Sequence, residues 1–216
     1  FLSILPFVKM VAVCNVLGYF NAKDNSDIDF LIITSVNRIW TARFFATGFF
    51  KVLNLRPTKR KTKNRFCFSF YVTQDNLDLK NIALENDVYF YFWLSQLLLI
   101  YDQDDYFNKL VRENQWVQNF LINFNKIYKE QDYKKYEIKP LCAKFKKMLE
   151  KRFFNSCENF LKKWQKIWMP KKIIDLANDN IGVIISDKIL KFHLNDKRFE
   201  FIKKWEEKII QLNLKH

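Results

Sequence analysis

Asp27-Ile28-Asp29 is the stretch of this chain with the most chemistry in it. The pair heads an apolar run that ends at Thr34, and side chains two apart on a strand point to one face. Both carboxylates then project together while Ile28 and Phe30 turn into the core. Paired carboxylates at the mouth of a sheet repel each other unless a divalent cation neutralises them. Oxygen ligation of that kind suits Mg²⁺ or Mn²⁺ held together with substrate phosphates. Asp27 and Asp29 are therefore the expected metal ligands, and the site is read as one for a nucleotide such as a nucleoside triphosphate (NTP).

Fewer other residues offer chemistry. Arg38 and Arg43 open the helix expected after that strand, where they either contact phosphates or lay their stems around Trp40 and Phe44. Near the C-terminus Asp187, Lys191, His193, Asp196 and Arg198 make an unusually polar cluster. Asp187, Lys191 and His193 are read as an acceptor site, against the plainer reading of a structural histidine beside Phe192 and Leu194. Cys14, Cys67, Cys142 and Cys157 are widely spaced without a C-x-x-C pair, and His193 and His216 cannot complete a zinc cluster by pattern. They read as reduced, mostly buried thiols of a cytoplasmic protein. No Gly-rich P-loop, kinase signature or Ser/His/Asp order is present.

Strand-like runs and one helix must position the acidic pair. Val8 to Asn15, Asp27 to Thr34 and Arg65 to Val72 read as strands, and Arg38 to Leu55 as an aromatic-rich helix. In the third strand Arg65, Cys67, Ser69 and Tyr71 share the polar face by alternation. Six basic residues and no acid lie between Arg56 and Arg65, a solvated or phosphate-tracking loop. Beyond Asp102 the pattern is almost wholly helical. There Phe145, Met148, Leu149, Phe153, Cys157, Phe160, Leu161, Trp164 and Trp168 make one apolar face opposite Lys144, Lys147, Lys151, Lys162, Lys163 and Lys166. A last helix starts behind Asn195 as N-cap. The change of period near residue 100 divides the chain into an α/β domain, 1–100, and a helical domain, 101–216.

The segment from Val11 to Thr34 resembles the DNA polymerase beta superfamily of nucleotidyltransferases. The signature of that superfamily is a Gly-Ser or Gly-Gly turn followed some ten residues later by Asp-h-Asp. The chain is also similar to a group of uncharacterised bacterial nucleotidyltransferase-domain proteins. Asn21-Ala-Lys, Ser26-Asp-Ile-Asp-Phe, Asn37-Arg-Ile-Trp, Asn64-Arg-Phe-Cys-Phe-Ser-Phe and Ile185-Ser-Asp-Lys-Ile-Leu-Lys-Phe-His-Leu-Asn-Asp carry that likeness. The resemblance implies an α/β (α+β) core with a mixed sheet, and catalytic metals on Asp27 and Asp29. Asn15-Val16 stand where the superfamily has Gly-Ser, with Gly18 two residues along, so Asn15, Val16, Gly18, Arg38 and Arg43 are the expected nucleotide contacts. The superfamily's third carboxylate comes from a later strand. The strand from Arg65 has no acid; Ser69 marks the position, and Asp75 or Asp78 would replace it if that strand is shorter.

With 216 residues, 49% hydrophobic and 18% aromatic, the chain has the length and the apolar content for a folded core, which excludes intrinsic disorder. A net charge of +14 favours polyanionic partners, although lysine-rich, glycine-poor usage points to AT-rich codons as one source of it. No apolar run approaches the ~18 residues of a bilayer span, Val88 to Ile100 being nearest, so no membrane partner is expected. The chain opens at Phe1 with neither a charged leader nor a small-residue cleavage site, and a further segment is expected ahead of it. The expected activity is transfer of a nucleoside monophosphate from an NTP to RNA, a small molecule or a protein. The alternatives are a binding module that has lost turnover, or an antitoxin-like protein that pairs with a protein partner.

Overall fold

Val8–Cys14 and Ile28–Thr34, rich in β-branched and other apolar residues, pair antiparallel as β1 and β2. A single helical turn, α1 (Asn15–Gly18), follows β1 directly. α2 (Ile39–Val52) carries the chain back from the end of β2 to the start of β3 (Phe66–Thr73), so β3 runs parallel to β2. α3 (Val88–Ser95) leads into β4 (Leu98–Asp102), which pairs antiparallel with β1 on the side away from β2. The helices α4 (Tyr106–Glu113), α5 (Pro140–Arg152), α6 (Glu158–Ile167) and α7 (Lys171–Asp175) come next. The hairpin β5 (Val183–Ile185) and β6 (Ile189–Phe192) then adds to β3, and α8 (Arg198–Gln211) follows. The computed structural model describes residues 2–18, 23, 26–58, 61–125, 138–152, 157–178 and 181–212. Tyr19 of the expected phosphate turn, Asn21 and Ala22, Lys59 and Arg60 of the basic run, Phe153, His216 and the Val16 side chain lie outside the described residues.

The six strands form one mixed sheet in the order β4-β1-β2-β3-β6-β5. Helices cover both faces of its centre, which is why β1 to β3 read as nearly continuous apolar runs. Met10, Ala12, Leu31, Ile33, Phe70 and Val72 pack under α3 and α4. Val11, Val13, Phe30, Ile32 and Tyr71 pack under α2, as the alternation of Ile28 and Phe30 requires. No helix among the described residues is long and apolar enough to cross a membrane.

Three expectations for the second half need correction. It is not almost wholly helical: β5 and β6, three and four residues long, join the sheet that begins at Val8, so one sheet draws on both sides of residue 100. The single apolar face from Phe145 to Trp168 is divided between α5 and α6, which breaks its period, and Phe145, Met148, Phe160 and Trp168 are exposed. The buried contacts are polar instead. Lys146 donates to the Val8 carbonyl at 2.6 Å and to Tyr101 Oη at 3.2 Å, and Glu158 accepts the Trp40 and Thr41 amides at the N-terminus of α2, both at 2.9 Å. Finally, α8 starts at Arg198 with no side-chain cap from Lys197; Asp196, not Asn195, accepts the Arg198 amide at 3.1 Å.

Arg198 ties α8 to the rest. Its Nη1 meets Asp87 Oδ2 at 2.9 Å and the Ile82 carbonyl, and its Nε meets Asp196. Asp87 is itself the N-cap of α3, accepting from the Phe90 amide. Both charges are buried, so removing one strands the other. Arg198→Met should cost about 3–5 kcal/mol in urea unfolding; a loss below about 1 kcal/mol would show that α8 is not held this way.

Candidate functional site

Asp29 faces the α3 side of the sheet with a neighbour on each flank. Its Cα partners are Cys14 across the antiparallel β1 and Cys67 across the parallel β3. Asp27, Asp29 and Cys67 each bring a ligand atom to within 4.8 Å of the others, all three half-buried. Burial raises the Asp29 pKa and the charge of Asp27 adds to this, while hydrogen bonds from Asn15 and Cys67 pull it down. The same burial, with Asp29 beside it, pushes the Cys67 thiol up, and Cys14 well up. Without a cation Cys67 is therefore a protonated thiol.

Cys67 is the member of this cluster that sequence reasoning missed. It was visible on the polar face of its strand, but the choice among that face's residues depends on how β3 is registered against β2. A bulge decides it: three steps along β3, Cys67 to Phe70, match two along β2, Asp29 to Leu31. Ser69, the expected third-acid position, hydrogen-bonds both Cys67 and, at 3.1 Å, His193 Nε2. Tyr71 falls on the opposite, α2 face and so leaves the polar face expected for it. Asp75 and Asp78 cannot stand in. Both follow the far end of a strand that runs parallel to β2, roughly 20 Å of strand beyond Cys67. Asp75 lies 3.6 Å from Lys188 there, and Asp78 accepts the Lys80 amide.

Asn15, directly after β1, lies in the left-handed region, φ 57°, and its Oδ1 accepts from Trp93 Nε1 at 2.9 Å. It thus links Asp29 to the wall of a cavity of about 770 Å³ between α3, α8 and the end of β6. Phe70, Trp93, Phe201 and Trp205 supply its apolar surface, Lys191 and His193 its floor, and the exposed Lys197, Lys204 and Lys208 its rim. Gly18 serves packing, because a Cβ there would sit 2.5 Å from the Gln96 carbonyl oxygen.

The remaining expected residues disperse. Lys191 and His193 line the cavity, but Asp187 sits at the β5–β6 turn on the α2 side, accepting from Trp40 Nε1 at 3.0 Å and Lys162 at 2.7 Å. Arg38 follows the far end of β2 from Asp27 and lies over the Phe7 ring. Arg43 is on the opposite face of the sheet, over Phe192. Lys61 and Lys63 of the basic run are exposed, whereas Arg56 and Arg65 are half-buried, Arg56 over Phe68 and Arg65 bonded to the Asn54 carbonyl. The four cysteines are free, and Cys14 alone is fully buried. The chain matches no family model, no curated protein and no solved structure.

Burial holds the His193 imidazole down at about 4, with Lys191 adding to it, against an ordinary 6.5. Below pH 6.5 the unfolded chain takes up a proton that the folded chain refuses. The destabilisation is absent above about 6.5 and grows as pH falls toward 4, reaching roughly 3 kcal/mol. Urea unfolding between pH 7 and 4.5 should show a steeper loss in the wild type than in His193→Gln, and parallel profiles would refute it.

Proposed function

We propose that the chain is a metal-dependent nucleotidyltransferase of the polymerase-beta type, which moves a nucleoside monophosphate from an NTP to an acceptor and releases pyrophosphate. The observation that carries this reading is the meeting of Asp27, Asp29 and Cys67 within 4.8 Å, joined through Asn15 to the wall of the cavity. The mixed sheet, with β2 between an antiparallel and a parallel neighbour, supports the same reading. Asp27 and Asp29 would hold the cation, with Cys67 as third ligand. A thiol beside two carboxylates suits Mn²⁺ better than Mg²⁺, which demands oxygen. When bound, the ion would offset phosphate charge and polarise the transferred phosphoryl group. Asn15 orients Asp29, and Lys197, Lys204 and Lys208 draw the polyphosphate to the cavity rim. The exposed Lys61 and Lys63 favour RNA among the acceptors.

A second reading has an observation of its own. The position facing Asp29 on β3 holds a thiol rather than a carboxylate, so no acid there takes the proton of an attacking hydroxyl. That favours a module that binds a metal and nucleotide without turning it over.

Calorimetry with Mn²⁺ and an NTP should show binding in the wild type and none with Asp27→Asn and Asp29→Asn combined. Cys67→Ser should weaken Mn²⁺ about tenfold and leave Mg²⁺ nearly unchanged. Incubation of labelled NTPs with the protein, Mn²⁺ and total RNA then separates the readings. Label in RNA or protein supports transfer, and label in neither, with binding intact, supports the module. A wild type that binds no metal and nucleotide overturns both.

A further inference from the structure

On the face of the sheet away from the carboxylates, three buried hydrogen-bond donors gather over β3 and β6 with no partner among the described residues. The Tyr71 side chain is fully buried beneath α2, and its hydroxyl has no partner. Arg43, midway along α2, places its guanidinium 4.8 Å from the centre of the Phe192 ring, and one Nη donates to Gln165 Oε1. Its Nε is buried without a partner. Arg56, just past the end of α2, lies 5.4 Å from the centre of the Phe68 ring, with Nη1 buried and likewise without a partner. Phe68 and Tyr71 belong to β3, and Tyr71 pairs with Leu190 of β6, two residues from Phe192. The two guanidiniums thus flank one short stretch of two neighbouring strands.

The charges agree with the geometry. Both arginines act on the Tyr71 hydroxyl and lower its pKa against the larger effect of burial. Burial first pulls Arg43 down to about 10, with Arg56 adding to it and the Tyr71 hydroxyl acting against both. Two like charges facing a buried, unmet hydroxyl, that of Arg43 itself buried, are a combination that folded proteins avoid unless a counter-ion is supplied. The three open positions are N–H, N–H and O–H, so the missing group must accept several hydrogen bonds and carry negative charge. The planar guanidinium fork matches the oxygens of an oxyanion better than a halide sphere.

We propose that Arg43, Arg56 and Tyr71 form a buried binding site for a phosphate-sized oxyanion, reached past the half-exposed Arg56. The exposed Lys61 and Lys63 of the same loop would attract the anion. The occupant is either inorganic phosphate or the phosphate of a small organic ester. The site is separate from the acidic pair and does not depend on the function proposed above.

Thermal unfolding of the full chain in inorganic phosphate, ribose 5-phosphate or chloride, at constant ionic strength, tests this. At about 100 times Kd either phosphate should raise Tm by about 5–10 °C, saturably, and chloride should not; the tighter of the two names the source. Arg56→Gln should abolish the shift. Tyr71→Phe should weaken phosphate about tenfold, yet leave Tm without phosphate unchanged or higher, because it removes an unmet hydroxyl. Should Arg56→Gln fail to fold, Tyr71→Phe alone decides. Asp27→Asn combined with Asp29→Asn should keep the whole shift, which separates this site from the nucleotide reading. The proposal is overturned if no phosphate compound raises Tm saturably, if chloride does so equally, or if the shift survives unchanged in Tyr71→Phe.

Discussion

Asp29 lies inside a sheet, with Cys14 on one flank and Cys67 on the other, and a carboxylate in that position must be hydrogen-bonded or neutralised. Much of the α3 side of the fold follows from meeting that demand. Asn15 adopts a left-handed backbone, which asparagine tolerates better than most residues, and its side chain serves both Asp29 and Trp93. Trp93 belongs to α3, whose N-terminus is capped by Asp87, and Asp87 is paired with Arg198 at the start of α8. A series of polar contacts and packed elements therefore runs from the middle of the sheet to the last helix, and the cavity lies along it. Gly18 belongs to the same requirement, since α1 must press against Gln96 to bring Asn15 to its place.

The α2 side is held by polar groups reaching out of the C-terminal half. Glu158 of α6 accepts the first amides of α2, which has no side-chain cap of its own, and a carboxylate suits the positive end of the helix dipole. Gln165 of the same helix meets the Trp40 carbonyl and Arg43. On α5, Lys146 donates to the Val8 carbonyl, and burial holds its pKa at about 8. The aromatic residues of these helices stay largely exposed because the positions turned toward the sheet are Lys146, Leu161 and Gln165. Hydrophobic spacing cannot foresee a buried face built on hydrogen bonds.

What was legible in the sequence was local. β1, β2, β3 and α2 declared themselves through period and apolar runs, and the shared face of Asp27 and Asp29 follows from two-residue alternation alone. What was hidden depends on contacts across long separations. Cys67 reaches Asp29 only through the register of two strands joined by a helical crossover, and one bulge moves Tyr71 to the other face. The distance of Asp75 and Asp78 from the pair depends on β3 being parallel, which no residue of β3 announces. β5 and β6 are short and lie in a lysine-bearing segment, so their signal is weaker than that of the helices around them. Arg56, in a run that reads as solvated, is drawn onto Phe68 by packing that appears only after α2 and β3 are side by side.

In the proposed reading, the thiol at the third position also changes the charge that a nucleotide would meet. Two carboxylates just offset one divalent cation, whereas a third would leave the cluster anionic and repel incoming phosphates. A second cation would then be needed to restore the balance, and that second ion is what activates an acceptor in two-metal transfer. With a protonated Cys67, a one-metal cluster is already neutral, and the lysines at the cavity rim add net attraction. In that reading the thiol would favour holding a metal and nucleotide over the step that consumes it. An enzyme built this way would gain its affinity at the expense of turnover, unless metal binding deprotonates the thiol and makes Cys67 a charged ligand after all.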